Sequence, residues 1–174
     1  MRIVSGRHAG LLLLALVAFC GSVQARTINI LAIGASNTAG RGVSESEAWP
    51  AVLESMLKAK GQDAHVTVHA VNGLTSTQIV GFTDSIPAGT QIVIYDAGIS
   101  NDRAHGISPS QSAANEAEIM RRVRAHGAIV IKAPYGNAGK TGGYPKQGDG
   151  IHFTPEGHRM IAAKLVPRVL AAAH

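Results

Sequence analysis

The sequence predicts an α/β domain whose sheet is mainly parallel. Short apolar runs that end at glycine or polar residues alternate with longer segments of helical periodicity, an order typical of successive strand–helix units. The 174-residue chain contains no repeat of fixed period and no low-complexity tract. Residues 26–174 have the size of one ordinary domain with a core of its own.

Four apolar runs are the predicted strands. The first carries isoleucines at positions 28, 30 and 33 between turn residues, which indicates a buried strand. The second alternates apolar and polar residues and precedes an Asn-Gly turn, and the third ends at Gly98. The predicted strands span 27–33, 65–71, 91–96 and 128–133.

A helix is predicted after the first strand and another after the second. Pro50 suits the first turn of a helix over 49–57, and Gly61 lies just past its end. A shorter helix is expected at 76–82.

A longer helix is predicted between the third and fourth strands. Ser108 can cap it, because Pro109 follows and Gln111 stands three residues after the cap, and Gly127 ends it. The last helix begins near 154–156. The segment 134–150 holds six glycines and two prolines and is the longest predicted loop.

The front of the chain has the pattern of a secretory signal peptide. Arg2 and Arg7 precede an apolar run at 9–19, and a small-x-small site ends at Ala25. The run is shorter than the ~20 residues that span a bilayer. We therefore expect 1–25 to be cleaved and 26–174 to be a single exported domain, periplasmic or secreted, without stable membrane insertion; a retained anchor is the alternative. Cys20, the only cysteine, would leave with the signal, so no disulfide is expected.

The charge of the chain does not indicate nucleic-acid binding. Without Arg2 and Arg7, 14 basic residues stand against 11 acidic ones, and the net charge falls from +5 to +3. Three arginines cluster at 121–124, but within a helical pattern and without interleaved aromatic residues, which is typical of a solvated helix face.

Four loops are expected at the carboxyl edge of the sheet, where ligands of open parallel sheets bind, and each of them contains polar residues. The first strand ends at Gly34 and presents Ser36, a hydroxyl that becomes a nucleophile when a histidine takes its proton. His152 can be this base, and Asp149, three residues before it, supplies a carboxylate that can orient its ring. These three residues are the predicted catalytic triad.

An ester-cleaving site also needs donors for the oxyanion of the tetrahedral intermediate. The backbone N–H groups of Ser36 and Gly73 and the side-chain amide of Asn101 are the predicted donors. Glycine at position 73 lets the backbone approach a ligand closely. The remaining histidines suggest no metal site; His65 and His69, for example, are ~13 Å apart along a strand.

Together these segments resemble the SGNH (GDSL-like) hydrolases, a family of esterases and lipases. The stretch Gly34-Ala-Ser36-Asn-Thr-Ala-Gly40 is similar to the first family block, and Asn72–Gly73, Gly98-Ile-Ser-Asn101 and Asp149-Gly-Ile-His152 are similar to three later ones. The resemblance implies a flavodoxin-like three-layer α/β/α fold. It also implies hydrolysis of a carboxylic ester or thioester of a small acylated molecule through an acyl-serine intermediate, with no cofactor.

The chain departs from the family pattern at three places. The family's aspartate before the nucleophile is Ala35, two residues instead of one separate Gly98 from Asn101, and Asn72 directly precedes Gly73. Two alternatives therefore stay open. One is a catalytically degenerate relative that binds an acyl or sugar ligand. The other is a flavodoxin-like module whose glycine-rich first loop binds a phosphate or nucleotide.

Overall fold

The computed structural model describes residues 26–135 and 143–173. The predicted signal peptide (1–25) and residues 136–142 of the predicted long loop lie outside these ranges. Within them, no helix has both the length and the apolar character needed to cross a bilayer.

Four strands form one parallel sheet. They are β1 (Ile28–Gly34), β2 (Ala64–Ala70), β3 (Ile92–Tyr95) and β4 (Ile129–Lys132). The order across the sheet is β2-β1-β3-β4, so that β1 and β3 are central. The register aligns Gly34 with Ala70, Ile33 with Tyr95 and Tyr95 with Lys132. The carboxyl ends of all four strands consequently share one edge.

Within the described residues, six α-helices connect and cover the strands. They are α1 (Ser36–Ala39), α2 (Trp49–Ala59), α3 (Ser76–Phe82), α4 (Ile99–Ala104), α5 (Pro109–Ala125) and α6 (Pro155–Ala172). Two 3-10 turns, Glu45–Glu47 and Thr83–Ser85, complete the regular structure of the described residues.

Two apolar clusters lie on opposite faces of the sheet, because alternate residues of a strand point to opposite faces. Residues such as Ile30 and Ile94 pack with α2 and α6, whose buried residues include Trp49, Leu53 and Leu165. The neighbouring strand residues face α3 and α5 instead. That second cluster includes Leu31, Ile33, Val93, Ile79 and Ile119. Helices therefore cover both faces, which confirms the predicted three-layer α/β/α fold.

The helix ends follow the predicted capping chemistry. Ser108 accepts a hydrogen bond from the Gln111 N–H at 3.1 Å, and Thr154 does the same for Gly157 at the start of α6 (3.2 Å). Such caps satisfy N–H groups that the first turn of a helix leaves unpaired. The cap at Thr154 sets where α6 begins, and thereby where the preceding His152 loop ends.

Two short helices, α1 and α4, are absent from the sequence prediction. Each has six residues or fewer, which is too short for helical periodicity to be read from the sequence. Gly98 also caps the start of α4 with φ +67° and no side chain, so the helix lacks the Ser, Thr, Asn or Asp cap by which a helix start is predicted from sequence. Ile99, Ser100 and Asn101, which with Gly98 are similar to the third family block, thus lie on a short helix.

Candidate active site

Ser36 lies where β1 ends and is the first residue of α1. The N–H groups of Thr38 and Ala39 close this turn on the carbonyl of Ala35, at 3.0 and 2.9 Å. Gly34 permits the sharp exit from the strand, since a Cβ there would lie 2.8 Å from the Asp96 Cβ. The Ser36 residue is only 7% exposed, so its hydroxyl is held within the protein surface at the carboxyl edge of the sheet.

The structure brings the three predicted catalytic residues together. His152 Nε2 lies 2.9 Å from Ser36 Oγ, although the two residues are 116 positions apart. His152 Nδ1 lies 2.5 Å from Asp149 Oδ2. His152 is 6% exposed, whereas the Asp149 side chain is 44% exposed. This hydroxyl–imidazole–carboxylate chain has the geometry in which an imidazole can accept the serine proton.

Asp149 also shapes the turn that carries His152. Its Oδ1 accepts the N–H groups of Ile151 and His152, at 2.9 and 3.0 Å. The bond from the His152 ring and these two N–H groups hold the pKa of the Asp149 carboxyl well below its usual range. The carboxylate is therefore charged at neutral pH, as an imidazolium partner requires.

The predicted oxyanion donors lie on the neighbouring loops. Asn101, in the first turn of α4, donates its side-chain amide to the Leu74 carbonyl at 2.8 Å, directly beside Gly73. One of its two amide hydrogens stays available for a ligand. Gly73 adopts φ +82°, and no atom lies within 4 Å of where its Cβ would be. Within the described residues, neither the Ser36 nor the Gly73 N–H donates a hydrogen bond. The oxyanion roles themselves stay predictions.

Asp96 connects the first and third blocks, which the sequence did not indicate. Its carboxylate accepts the Gly98 N–H at 3.0 Å and the Ala35 N–H, more weakly, at 3.4 Å. Burial raises the pKa of this carboxyl, while both N–H groups and the charge of Lys132 lower it. A carboxylate at the end of β3 thus lies beside Ala35, in the segment 34–42 that carries Ser36 and is called the nucleophile loop below.

A second set of polar groups holds the nucleophile loop through Thr38. The Trp49 indole N–H donates to the Tyr135 hydroxyl at 2.8 Å, and this hydroxyl lies 2.8 Å from Thr38 Oγ1. Burial, followed by the charge of Asp96, raises the Tyr135 pKa, so the hydroxyl stays protonated. These contacts join segments distant in sequence, and the sequence gives no signal for them.

Asp102 holds the start of α3, which closely follows Gly73 in the chain. It is almost fully buried and accepts the Ser76 N–H at 2.7 Å and the Ser112 hydroxyl at 2.5 Å. Asn115 adds a bond to the Ser76 hydroxyl at 2.8 Å. The start of α3 is thereby fixed relative to α4 and α5. In the part of the chain that the structure describes, no three His, Cys, Asp or Glu side chains group as a metal site would require.

Comparison with known proteins agrees with this geometry. The family model of the GDSL-like lipase/acylhydrolase family matches residues 32–148. The esterase TesA of Pseudomonas aeruginosa is 31% identical over 110 residues, which cover 62% of this chain. These residues are 54% of TesA, so the chain spans about half the length of this curated relative.

Solved structures show the same fold at low identity. A crystal structure of TesA superposes with a TM-score of 0.71 at 23% identity and covers 83% of this chain and 99% of that one. The psychrotrophic esterase EstA of Pseudoalteromonas sp. superposes with a TM-score of 0.68 at 17% identity, and the match covers 83% of this chain and 97% of EstA. AlinE4, an SGNH-hydrolase family esterase, superposes with a TM-score of 0.57 at 22% identity, and the match covers 83% of this chain and 73% of AlinE4. Because the family model matches residues 32–148, more than half of the chain, the chain belongs to the GDSL-like lipase/acylhydrolase family, the family that its sequence motifs predict.

Proposed function

We propose that this protein hydrolyses a carboxylic ester or thioester of a small acylated molecule, with Ser36 as nucleophile. The observation that carries the proposal is the continuous chain from Ser36 Oγ through His152 to Asp149, with distances of 2.9 and 2.5 Å. Membership of the family and the esterase relatives support the same class of reaction.

The proposed reaction proceeds in two halves. His152 Nε2 takes the Ser36 proton as Oγ attacks the acyl carbon, and the proton then passes to the leaving alcohol or thiol as its bond to the acyl carbon breaks. Water then enters and gives a proton to Nε2 as its oxygen attacks the acyl carbon. The bond between the acyl carbon and Ser36 Oγ then breaks, Oγ takes the proton back from Nε2, and the carboxylic acid is released. Asp149 keeps the Nδ1 proton in place and stabilises the imidazolium in both halves.

The N–H groups of Ser36 and Gly73 and the side-chain amide of Asn101 are proposed to stabilise the oxyanion. Within the described residues, both N–H groups donate no hydrogen bond and the amide keeps one hydrogen free, and all three donors lie on segments that follow strands at the carboxyl edge of the sheet; these observations support the assignment. Removing one such donor from an oxyanion hole typically costs ~10²–10³-fold in rate.

A cavity lies beside the loop that carries Ser36, although neither the triad residues nor the proposed oxyanion donors line it. It measures about 900 Å³ and lies at the ends of β3 and β4, where its lining includes Asp96, Ala97 and Tyr135. Asp96 and Tyr135 contact the nucleophile loop through Ala35 and Thr38. The cavity is large enough for a small ligand.

Export is proposed on the sequence alone. The charged, apolar and small-x-small segments of residues 1–25 support a cleaved signal peptide and a periplasmic or secreted enzyme. Mass measurement of the mature protein tests this: an N-terminus at Arg26 is expected, and an intact residue 1 contradicts it.

The reaction is tested with p-nitrophenyl esters from acetate to octanoate, using residues 26–174. We expect saturable hydrolysis of at least one ester, with the chain-length profile defining the acyl pocket, and loss of roughly 10⁴-fold or more in Ser36→Ala. No turnover of any ester contradicts the enzyme proposal and favours the degenerate ligand-binding alternative. Tight flavin or nucleotide binding without hydrolysis would favour the phosphate-binding one.

A further inference from the structure

The side chain of Gln147 connects the two loops that carry Ser36 and His152. Its Nε2 donates to the Arg41 carbonyl at 2.9 Å and to the Phe153 carbonyl at 2.8 Å. The sequence singled out neither Gln147 nor these contacts, because Gln147 and Arg41 are 106 residues apart.

Both bonded carbonyls are close to reacting groups. The Arg41 N–H donates to the Ser36 carbonyl at 3.0 Å, so the Arg41 peptide is attached to the turn of the nucleophile. Phe153 directly follows His152, and its N–H donates to Asn37 Oδ1 at 3.2 Å. A single carboxamide thus bridges a peptide on the serine side and a peptide on the histidine side.

The chemistry of this contact requires a primary amide. Two carbonyl oxygens converge on one nitrogen, and an NH₂ group supplies one hydrogen to each. The backbone of Gln147 fixes the side chain further, since its N–H donates to the His152 carbonyl at 2.7 Å and its own carbonyl accepts the Gly150 N–H at 3.0 Å. Gln147 is therefore anchored in the His152 turn and reaches across to the other loop.

Gly42 leaves room for this amide. Its φ is +82°, and a Cβ built there would lie only 2.7 Å from Gln147 Nε2. A side chain at position 42 would therefore displace the carboxamide. The glycine in the nucleophile loop and the glutamine before Asp149 fit each other.

We propose that Gln147 is a positioning residue whose carboxamide holds the Ser36 loop at hydrogen-bond distance from the His152 loop. The inference rests on the proposed function, because it concerns the geometry of the Ser36–His152 pair. Gln147 touches neither Ser36 Oγ nor the His152 ring, so it acts through the backbone of both loops. Displacements near 1 Å between reacting groups can cost ~10²-fold in rate.

The sharpest test is Gln147→Glu, which keeps the size of the side chain and replaces the donating NH₂ with an oxygen that repels both carbonyls. We expect kcat for the best p-nitrophenyl ester, and the rate of Ser36 labelling by an organophosphonate, to fall roughly 10–100-fold. KM should change by less than about threefold, since ground-state binding is untouched.

Gln91→Glu is the matched control. Gln91 lies at the opposite edge of the sheet, and its Oε1 accepts the Asn29 N–H at 2.8 Å, a role that a carboxylate retains. The same change of residue and charge should leave kcat and labelling within about twofold of the parent protein.

A spectroscopic readout separates this inference from the esterase proposal. The short contact between His152 Nδ1 and Asp149 should give a low-field imidazole N–H signal in proton NMR, whether or not an ester is turned over. This signal should shift in Gln147→Glu, because the contact of Ser36 with Nε2 of the same ring changes, and stay at the parent position in Gln91→Glu.

The outcomes are distinct. A parent protein that turns over no ester contradicts the proposed function, and the NMR comparison then decides the role of Gln147. An active parent with unchanged kcat, labelling and NMR signal in Gln147→Glu overturns the positioning role. If Gln147→Glu does not fold, Gln147→Ala is measured with the same thresholds, with Gly42→Ala as an independent way to displace the amide.

Discussion

Asp149 uses its two carboxylate oxygens for different tasks. Oδ1 accepts the N–H groups of Ile151 and His152 and so holds the turn, while Oδ2 faces the His152 ring. The residue that is proposed to orient the base, His152, therefore also builds the turn on which His152 lies. An isosteric substitution can separate the two tasks.

Asp149→Asn is expected to keep the fold and lose the activity. The asparagine oxygen can retain the turn, but its NH₂ would face His152 Nδ1 and force the ring proton onto Nε2, which could then no longer accept the Ser36 proton. We expect kcat/KM to fall by roughly 10³–10⁴-fold and the midpoint of urea unfolding to stay much closer to that of the parent protein than in Asp149→Ala.

Asp149→Ala provides the comparison, because it removes both tasks and should lower stability as well as activity. Near-parental activity in Asp149→Asn would show that His152 is oriented by another group.

The triad was predictable residue by residue, whereas its supports were not. Ser36, Asp149 and His152 belong to residue types whose chemistry is distinctive and whose order matches a known family. Gln147 and Asp96 act through ordinary hydrogen bonds to main-chain groups, at partners set only when the chain folds. Such residues carry no local signal in a single sequence.

Among the elements, α4 determines where the third-block residues lie. Despite the extra residue between Gly98 and Asn101, the segment coils into a helical turn that brings the Asn101 amide to the Leu74 carbonyl, next to Gly73. Gly98 starts this helix at φ +67°, and a Cβ there would lie 2.8 Å from the Leu74 carbonyl oxygen. The close approach of the two loops depends on a glycine at this position.

Gly98→Ala should therefore destabilise the protein more than an alanine at another left-handed glycine. Gly61 is the matched control, since it has φ +77° but no neighbour within 4 Å of a built Cβ. We expect Gly61→Ala to cost about 1 kcal/mol in the free energy of unfolding and Gly98→Ala at least about 1 kcal/mol more, through overpacking. Equal costs in urea titrations would show that the crowding at Gly98 relaxes freely.

The strands and long helices were predictable because burial leaves a periodic pattern. The apolar runs match β1 to β4 within one or two residues at each end, and Pro50, Ser108 and Gly127 mark helix boundaries as predicted. The helices α1 and α4 depend on tertiary contacts of the loops rather than on periodicity. The short elements at the carboxyl edge, which carry the chemistry, are the ones that propensity determines least.

The stability of the whole molecule should depend on a buried histidine that takes no part in the proposed reaction. His158 is fully buried in α6, and its Nδ1 accepts the Trp49 N–H at 3.2 Å. Burial lowers the pKa of His158 from 6.5 to about 4, more than the charge of Glu47 raises it. His158 is therefore neutral in the folded protein at pH 5, where an unfolded chain would protonate it.

The sign of this effect follows from proton binding. Between about pH 6.5 and 4 the unfolded state binds more protons at His158 than the folded state, so the folded protein loses stability as the pH is lowered through this range. We expect a loss of about 2 kcal/mol between pH 7 and pH 5 from this residue.

The loss is measured by urea unfolding at both pH values and compared with His158→Gln, which cannot titrate. The raised pKa of Asp96 acts in the opposite direction in both proteins and cancels in the comparison. An equal pH dependence in the two proteins would contradict the prediction.

The central claim is that His152 activates Ser36 as a nucleophile, and covalent labelling tests it most directly. The protein is treated with an organophosphonate, and the adduct is located by peptide mass spectrometry and timed in the parent and in His152→Ala. The account predicts one adduct per chain, on Ser36, forming roughly 10³-fold or more slowly without His152. An unlabelled Ser36, or labelling at the same rate in His152→Ala, would contradict it.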